Sequence, residues 1–261
     1  MILLYDHTYE GFLSVVFECY RRKITPFRIL PETHYQEALF VRKEFIPTNP
    51  EHAERVWNGL TARLTPATRH VPLSAFLSGE PDIEMALYRF MRLAFMAEQP
   101  IGDNFADPDV LQVRKSSRRV MQEAMRMVQF ARFQLTRDNI YFAPVSPAYD
   151  VLPLIMQHFR DRFADQHWLV YDLKRDYGYY FNTAEVEEVS LSQKVFNIAD
   201  GSVRNDMLEE GEAVYQTMWN DYCRSITIRE RLNLRLQKQH MPRRYWKFLP
   251  EKSGKNTKYE S

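Results

Sequence analysis

"PDVLQVRKSSRRVMQEAMRMVQFARFQL", residues 108–135, is the stretch from which the fold can be read outward. At about 100° per residue, Val113, Ser117, Val120, Ala124, Val128 and Ala131 fall within one arc, and Arg114, Arg118, Arg119, Arg126 and Arg132 fall on the opposite side. The pattern predicts a long helix with one face in a core and the other strongly cationic, the clearest helix of the chain.

Upstream, residues 81–98 place Ile83, Leu87, Phe90, Met91 and Ala94 on one face and predict a helix, preceded by helices over 66–78 and 50–64. "PFRIL" (26–30) and "EALFVRKEFIP" (37–47) read as strands punctuated by prolines. At the start, "ILLYD" (2–6) predicts a strand, a tight turn and then a helix carrying Phe12, Val15, Val16 and Cys19. Downstream, "NIYFAPVSP" (139–147) predicts a strand, and "YDVLPLIMQHFRDRF" (149–163) a helix with Pro153 near its start, where a missing N–H does no harm. "WLVYDLKRDYGYYF" (168–181) reads as strand, turn, strand, with Gly178 supplying the permissive turn position. Residues 203–224 predict a helix. "ITIRERLNLRL" (226–236) fits both periods; helix over 226–240 is chosen, with Ile228, Leu232 and Leu236 as an inward seam ended by Pro242. The sum is one helix-rich α+β domain over 1–250, its helices laid against a small, mainly antiparallel sheet, with a flexible polar tail at 251–261.

The chain of 261 residues is 45% hydrophobic and 14% aromatic, enough for a sizeable core. Its apolar runs are far short of the ~20 residues that cross a bilayer, and its start lacks the cationic opening and cleavage site of a signal peptide. The expectation is a soluble cytoplasmic protein with no membrane contact. Two cysteines, Cys19 and Cys223, are too few for a disulfide framework, a four-thiolate metal site or an iron–sulfur cluster, and both are expected in the core.

A formal net charge of +1 hides segregated blocks. Residues 80–109 sum to −5 and 110–137 to +6; residues 183–221 sum to −7 and 222–252 to +7. Such blocks either cancel by packing together or face partners.

The eight glycines are too scattered for a nucleotide-binding fingerprint, and no His/Cys spacing marks zinc, so no metal or cofactor is expected on the chain itself. "YDHTYEG" (5–11) gathers Asp6, His7 and Glu10 beside a helix start, where they serve either acid–base chemistry or plain capping. His158 reads as a packing residue, and Tyr171, Tyr177, Tyr179 and Tyr180 either pack or offer faces to nucleobases beside Lys174 and Arg175. Better evidence lies in two cationic segments. Arg114, Arg118, Arg119 and Arg126 on one helix, and Arg231, Arg235, Lys238, Arg243 and Arg244 near Tyr245 and Trp246, supply the guanidinium forks and π-faces that a phosphate backbone requires.

"YDHTYEGFLSVVFE" (5–18), "RFQLTRDNIYFAPVSPAYDVLPLIMQHFRDRF" (132–163), "WLVYDLKRDYGYYF" (168–181) and "RERLNLRLQKQHMPRRYW" (229–246) together resemble a bacterial family of DNA metabolism and DNA repair proteins, over roughly residues 1–250. Members of that family are typically encoded beside a DNA-modification or repair radical-SAM protein, and a similar domain occurs fused ahead of a uracil-DNA-glycosylase-like domain. The resemblance implies a radical-SAM partner that carries the iron–sulfur and S-adenosylmethionine chemistry. It carries no catalytic residues, and because the chain ends at residue 261 without the appended domain, glycosylase activity is not expected of it.

The sequence therefore predicts a DNA-associated accessory protein that binds through its two basic segments, with the acidic block 183–221 docking the partner or shielding the basic face. Two alternatives stay open: a stand-alone nuclease- or glycosylase-like enzyme using Asp6, His7 and Glu10, and an interaction scaffold that makes no DNA contact.

Overall fold

The opening apolar run forms strand β1, Ile2–Tyr5, buried along its whole length. The structure, a computed structural model, describes residues 1–37, 41–97, 105–192, 196–197, 201–204 and 206–253. Residues 38–40 of the second expected strand, position 98 of the expected 81–98 helix, parts of the acidic block and the tail beyond 253 lie outside the described residues. The chain divides into two units, Met1–Met121 and Gln122–Ser261.

In the first unit β1 leads into helix α1, Tyr9–Arg21, and the chain returns as β2, Arg28–Pro31. Strand β3, Lys43–Phe45, lies on the other side of β1, giving the order β2-β1-β3 with both pairings parallel. Helices α2, Pro50–Thr61; α3, Val71–Phe76; and α4, Ile83–Met96, complete its main elements. Asn49 caps α2 by accepting from the His52 amide at 3.1 Å, and Pro50 begins it, the two signals that favour a helix start. Leu3, Tyr5, Phe12, Val15, Val16, Ile29, Leu60, Leu87, Phe90 and Met91 share one core. Cys19 lies among them, and burial lifts its thiol to about 12, so it behaves as a small hydrophobe.

The division between units falls within helix α5, Pro108–Phe130. Val113, Ser117, Val120 and Ala124 are buried as the periodicity predicts, but Val128 and Ala131 of the same arc are only part-buried, and the helix expected over 108–135 ends at Phe130. The serine in that arc is satisfied by a buried hydroxyl pair, Ser74 Oγ to Ser117 Oγ at 2.7 Å.

The second unit is built on a five-stranded sheet ordered β4-β5-β6-β7-β8. Its strands are β4, Gln134–Leu135; β5, Tyr141–Val145; β6, Trp168–Asp172; β7, Tyr177–Phe181; and β8, Val186–Val189. Helix α6, Leu152–Arg162, joins β5 to β6, which pair in parallel; the other three pairings are antiparallel. After it come α7, Glu212–Ser225; a short 3-10 turn, Arg229–Arg231; α8, Leu234–His240; a 3-10 segment, Arg243–Phe248; and α9, Pro250–Ser253. Among the described residues no helix is long and apolar enough to cross a membrane.

The mixed helix-and-strand character stands, but the expectation of one small, mainly antiparallel sheet is corrected. Among the described residues there are two sheets, one wholly parallel and one mixed. A strand followed by a long helix returns on the same heading, so β1–α1–β2 and β5–α6–β6 had to pair in parallel. The continuous helix over 226–240 is also corrected. Asn233 accepts from the Leu236 amide at 3.0 Å and starts a new helix at Leu234, which breaks the proposed seam. Ile228, Leu232 and Leu236 are each about half exposed rather than inward.

Gly178 has a different role from the turn expected of it: the left-handed turn residue is Asp176, with φ 63°. Gly178 lies in β7 opposite Tyr171, and a Cβ there would sit 2.5 Å from the Val170 carbonyl oxygen and 2.7 Å from the Tyr171 ring. Gly178→Ala is expected to lower stability by about 1–3 kcal/mol through overpacking, read as a reduced urea midpoint with an unchanged slope.

Candidate nucleic-acid interface

The cations on α5 meet different fates because of what the chain folds beside them. In the first unit Arg119 donates to Glu80 Oε2 at 2.7 Å, and the buried Ser116 hydroxyl reaches the same oxygen at 2.7 Å. That Arg119–Glu80 pair joins the basic block 110–137 to the acidic block 80–109, so the two cancel in part, while Arg89 forks onto Asp109 at 2.8 and 2.7 Å within the acidic block. Arg114 lies over the Phe105 ring at 5.7 Å, and Arg118 is exposed with no carboxylate partner among the described residues.

In the second unit the decisive group is Glu123, on the last turns of α5 and only 1% exposed. Its Oε2 accepts from the Tyr245 hydroxyl at 2.5 Å and from Arg244 Nη2 at 2.7 Å, while Oε1 accepts from the Ala148 amide at 2.7 Å. Arg126 stands 3.6 Å from the same carboxylate. Burial alone would raise this carboxyl, but the hydroxyl, amide and guanidinium outweigh it and hold it below the ordinary range. The same environment pushes the Tyr245 phenol up, chiefly by burial and then by the charge of Glu123. Arg126 and Arg244 are therefore structural ions as much as surface ones.

Beyond α7 the picture changes. Arg231, Arg235 and Lys238 are exposed, and none has a carboxylate partner among the described residues. Arg243 lies 5.7 Å from the Trp246 ring centroid, and Lys252 reaches the same ring at 5.2 Å. Of the nine cations singled out from sequence, Arg119, Arg126 and Arg244 are paired, and Arg118, Arg231, Arg235 and Lys238 stand open.

The hairpin tyrosines form no free stacking platform. Tyr171 is buried and donates to Asp176 at 2.9 Å, Tyr177 donates to Asp150, and Tyr179 donates to Glu188 at 3.2 Å. Asp172 is buried and takes the Lys174 and Arg175 amides and the Arg175 guanidinium, which lock the turn. His158 is exposed and edge-on to Phe159 at 5.6 Å. Sequence reasoning missed the aromatics of α7: Tyr215, Trp219 and Tyr222 are 65%, 40% and 54% exposed.

Asp6, His7 and Glu10 sit in the first unit, at the carboxyl end of β1 where the strand order reverses, the place where ligands commonly bind in open α/β sheets. Asp6 Oδ1 accepts from the Thr8 hydroxyl at 2.6 Å and the Thr8 amide at 3.1 Å, and Oδ2 accepts from Thr48 at 2.6 Å. These bonds prevail over burial and keep its carboxyl below the usual value. Thr8 in turn caps α1 through the Gly11 amide at 2.9 Å. A Cβ at Gly11 would fall 2.1 Å from Asp6 Oδ1, so glycine is what lets that carboxylate cross the helix start. His7, at φ 71°, faces His34 with ring centroids 5.1 Å apart; His34 carried no sequence signal. Glu10 is exposed in the first turn.

Residues 81–251 match the model of a family described as a domain of unknown function, DUF4130. The chain belongs to that family. The DUF4130 match contains all nine singled-out cations and α7, and it leaves out Asp6, His7 and Glu10. No curated protein matches the chain.

Glu123→Gln tests the hub of the DUF4130 region. Loss of the charge is expected to cost about 3 kcal/mol, the low end for a broken buried pair because Arg244 stays partly hydrated. A depressed folded value contributes stability above the unfolded glutamate value of about 4.3, and that contribution is lost as pH falls through the folded value. The acid limb of the wild-type stability profile should therefore flatten in Glu123→Gln, as followed by urea denaturation at stepped pH.

Proposed function

We propose that this chain is a nucleic-acid-binding accessory protein of DNA metabolism or repair, working with a radical-SAM partner that carries out the chemistry. The observation that supports it most is the exposed set Arg231, Arg235 and Lys238, cations with no carboxylate partner among the described residues, in a segment, 222–252, of net charge +7. Unpaired surface cations in a block are costly to leave facing one another and are offset by a polyanion. Arg118 is a further open cation, and the Arg243–Trp246 contact adds a guanidinium held against a π-face. The partner half of the proposal is supported by the family resemblance and by a chain whose two cysteines are too few for an iron–sulfur cluster; Cys19 is buried as expected, whereas Cys223 is only part-buried and not in the core.

The enzymatic alternative rests on the position of Asp6 and His7 at the reversal of strand order and on the His7–His34 contact. Against it, both Asp6 oxygens are occupied by loop-forming hydroxyls.

The test is the affinity for labelled oligonucleotides as a function of salt. Each phosphate contact contributes a slope of about −0.9 on duplex DNA and about −0.7 on single strands. Replacing Arg231, Arg235 and Lys238 by glutamine should lower the single-strand slope by about 2, whereas Arg119→Gln, which removes a cation already paired with Glu80, should leave it unchanged. No binding at low salt, or a flat salt response, would remove nucleic acid from the account.

A further inference from the structure

Helix α7 is the longest of the helices after β8, and its outward side carries aromatics where a surface helix ordinarily carries charge. Val214, Met218 and Tyr222 follow at i, i+4 and i+8, with Tyr215 and Trp219 one position on, so all five share one side; each is at least 40% exposed. Two of the rings are held in place. Trp219 donates from Nε1 to Glu251 at 3.0 Å, has the Arg132 guanidinium 5.4 Å from its centroid, and lies 5.8 Å from the Tyr222 ring at 35°. Arg132 is itself tied to Glu251 at 2.7 Å, so the cation, the carboxylate and the indole fix one another. A ring that is fixed yet open to water loses little rotamer entropy when a flat partner covers it.

We propose that the Tyr215–Trp219–Tyr222 face of α7 is a stacking platform for the bases of single-stranded nucleic acid, whose phosphates are met by Arg231, Arg235 and Lys238. This rests on the nucleic-acid reading above and adds the strand state of the ligand. Charge selects the occupant: the segment that follows the aromatics is cationic, and its Arg231, Arg235 and Lys238 have no carboxylate partner among the described residues, so a second copy of the same face would bring like charges together, whereas a polyanion with flat apolar bases satisfies both features. Strand state follows from access. In a duplex the base faces are covered by their neighbours, and only an unpaired strand can lay them on aromatic side chains.

Fluorescence anisotropy of the full chain with three probes tests this: labelled oligothymidylate, an abasic strand of the same length and charge, and a duplex. The platform predicts that the abasic strand binds roughly 5- to 100-fold more weakly than oligothymidylate. Tyr215→Ala with Tyr222→Ala, neither of which carries the Glu251 bond, should abolish most of that difference without lowering the melting temperature. Trp219→Ala should weaken oligothymidylate binding and Trp219→Phe should restore most of it. Equal affinity for oligothymidylate and abasic strand overturns the platform and leaves the cationic reading in place, and so does duplex binding that is the tighter of the two. Absence of binding to all three probes overturns both. A concentration-dependent dimer that Tyr215→Ala dissociates, with oligonucleotide affinity unchanged, assigns the face to a second copy and likewise overturns the inference.

Discussion

A single buried carboxylate, Glu123, organises the cationic half of this protein. Taking a carboxylate out of water costs several kcal/mol unless donors replace the lost hydration. Here the donors come from far along the chain: Tyr245 and Arg244 lie 122 and 121 residues away, and the Ala148 amide comes from the loop after β5. The carboxylate therefore fixes where the 3-10 segment Arg243–Phe248 must return on α5. A second carboxylate, Glu251, repeats the device for Arg132 and Trp219.

These two anchors sort the positive charges by role. Cations drawn to an acid, such as Arg119 to Glu80 and Arg244 to Glu123, neutralise buried or half-buried charge and belong to the architecture. Arg231, Arg235 and Lys238, between α7 and the 3-10 segment, have no carboxylate partner among the described residues, and that stretch also exposes Ile226, Ile228, Leu232, Leu234 and Leu236. That apolar and cationic stretch is the surface that the proposed nucleic-acid contact would cover.

Most of the long helix was legible, because Val113, Val120 and Ala124 repeat at its period and are buried as that period demands, but its end was not: the helix stops at Phe130 and Gln134–Leu135 form a strand. The α1 entry and the strand–turn–strand order of β6–β7 were legible from local signals, although the left-handed turn residue is Asp176 and not Gly178. Parallel pairing was readable in principle from the strand–helix–strand order, although the short strands read individually suggest one mainly antiparallel sheet. The outward turn of Ile228, Leu232 and Leu236 was hidden because their spacing fits a buried seam as well as an exposed one, although Asn233 between them is a capping residue. The α7 aromatics were hidden for the same reason: Val214, Met218 and Tyr222 make an ordinary core stripe on paper. Glu123 was the lone acid in a block of bases, a visible anomaly, but only the fold shows that it draws Arg126 and Arg244 away from the surface.

Amide hydrogen exchange of the full chain, with and without saturating oligothymidylate, tests most directly the claim that the open cations and the α7 rings form the contact surface. Slowed exchange across Glu212–Ser225 and Leu234–His240, with Tyr9–Arg21 unchanged, is the predicted result. Protection confined to the start of α1, or none in either C-terminal helix, would contradict it.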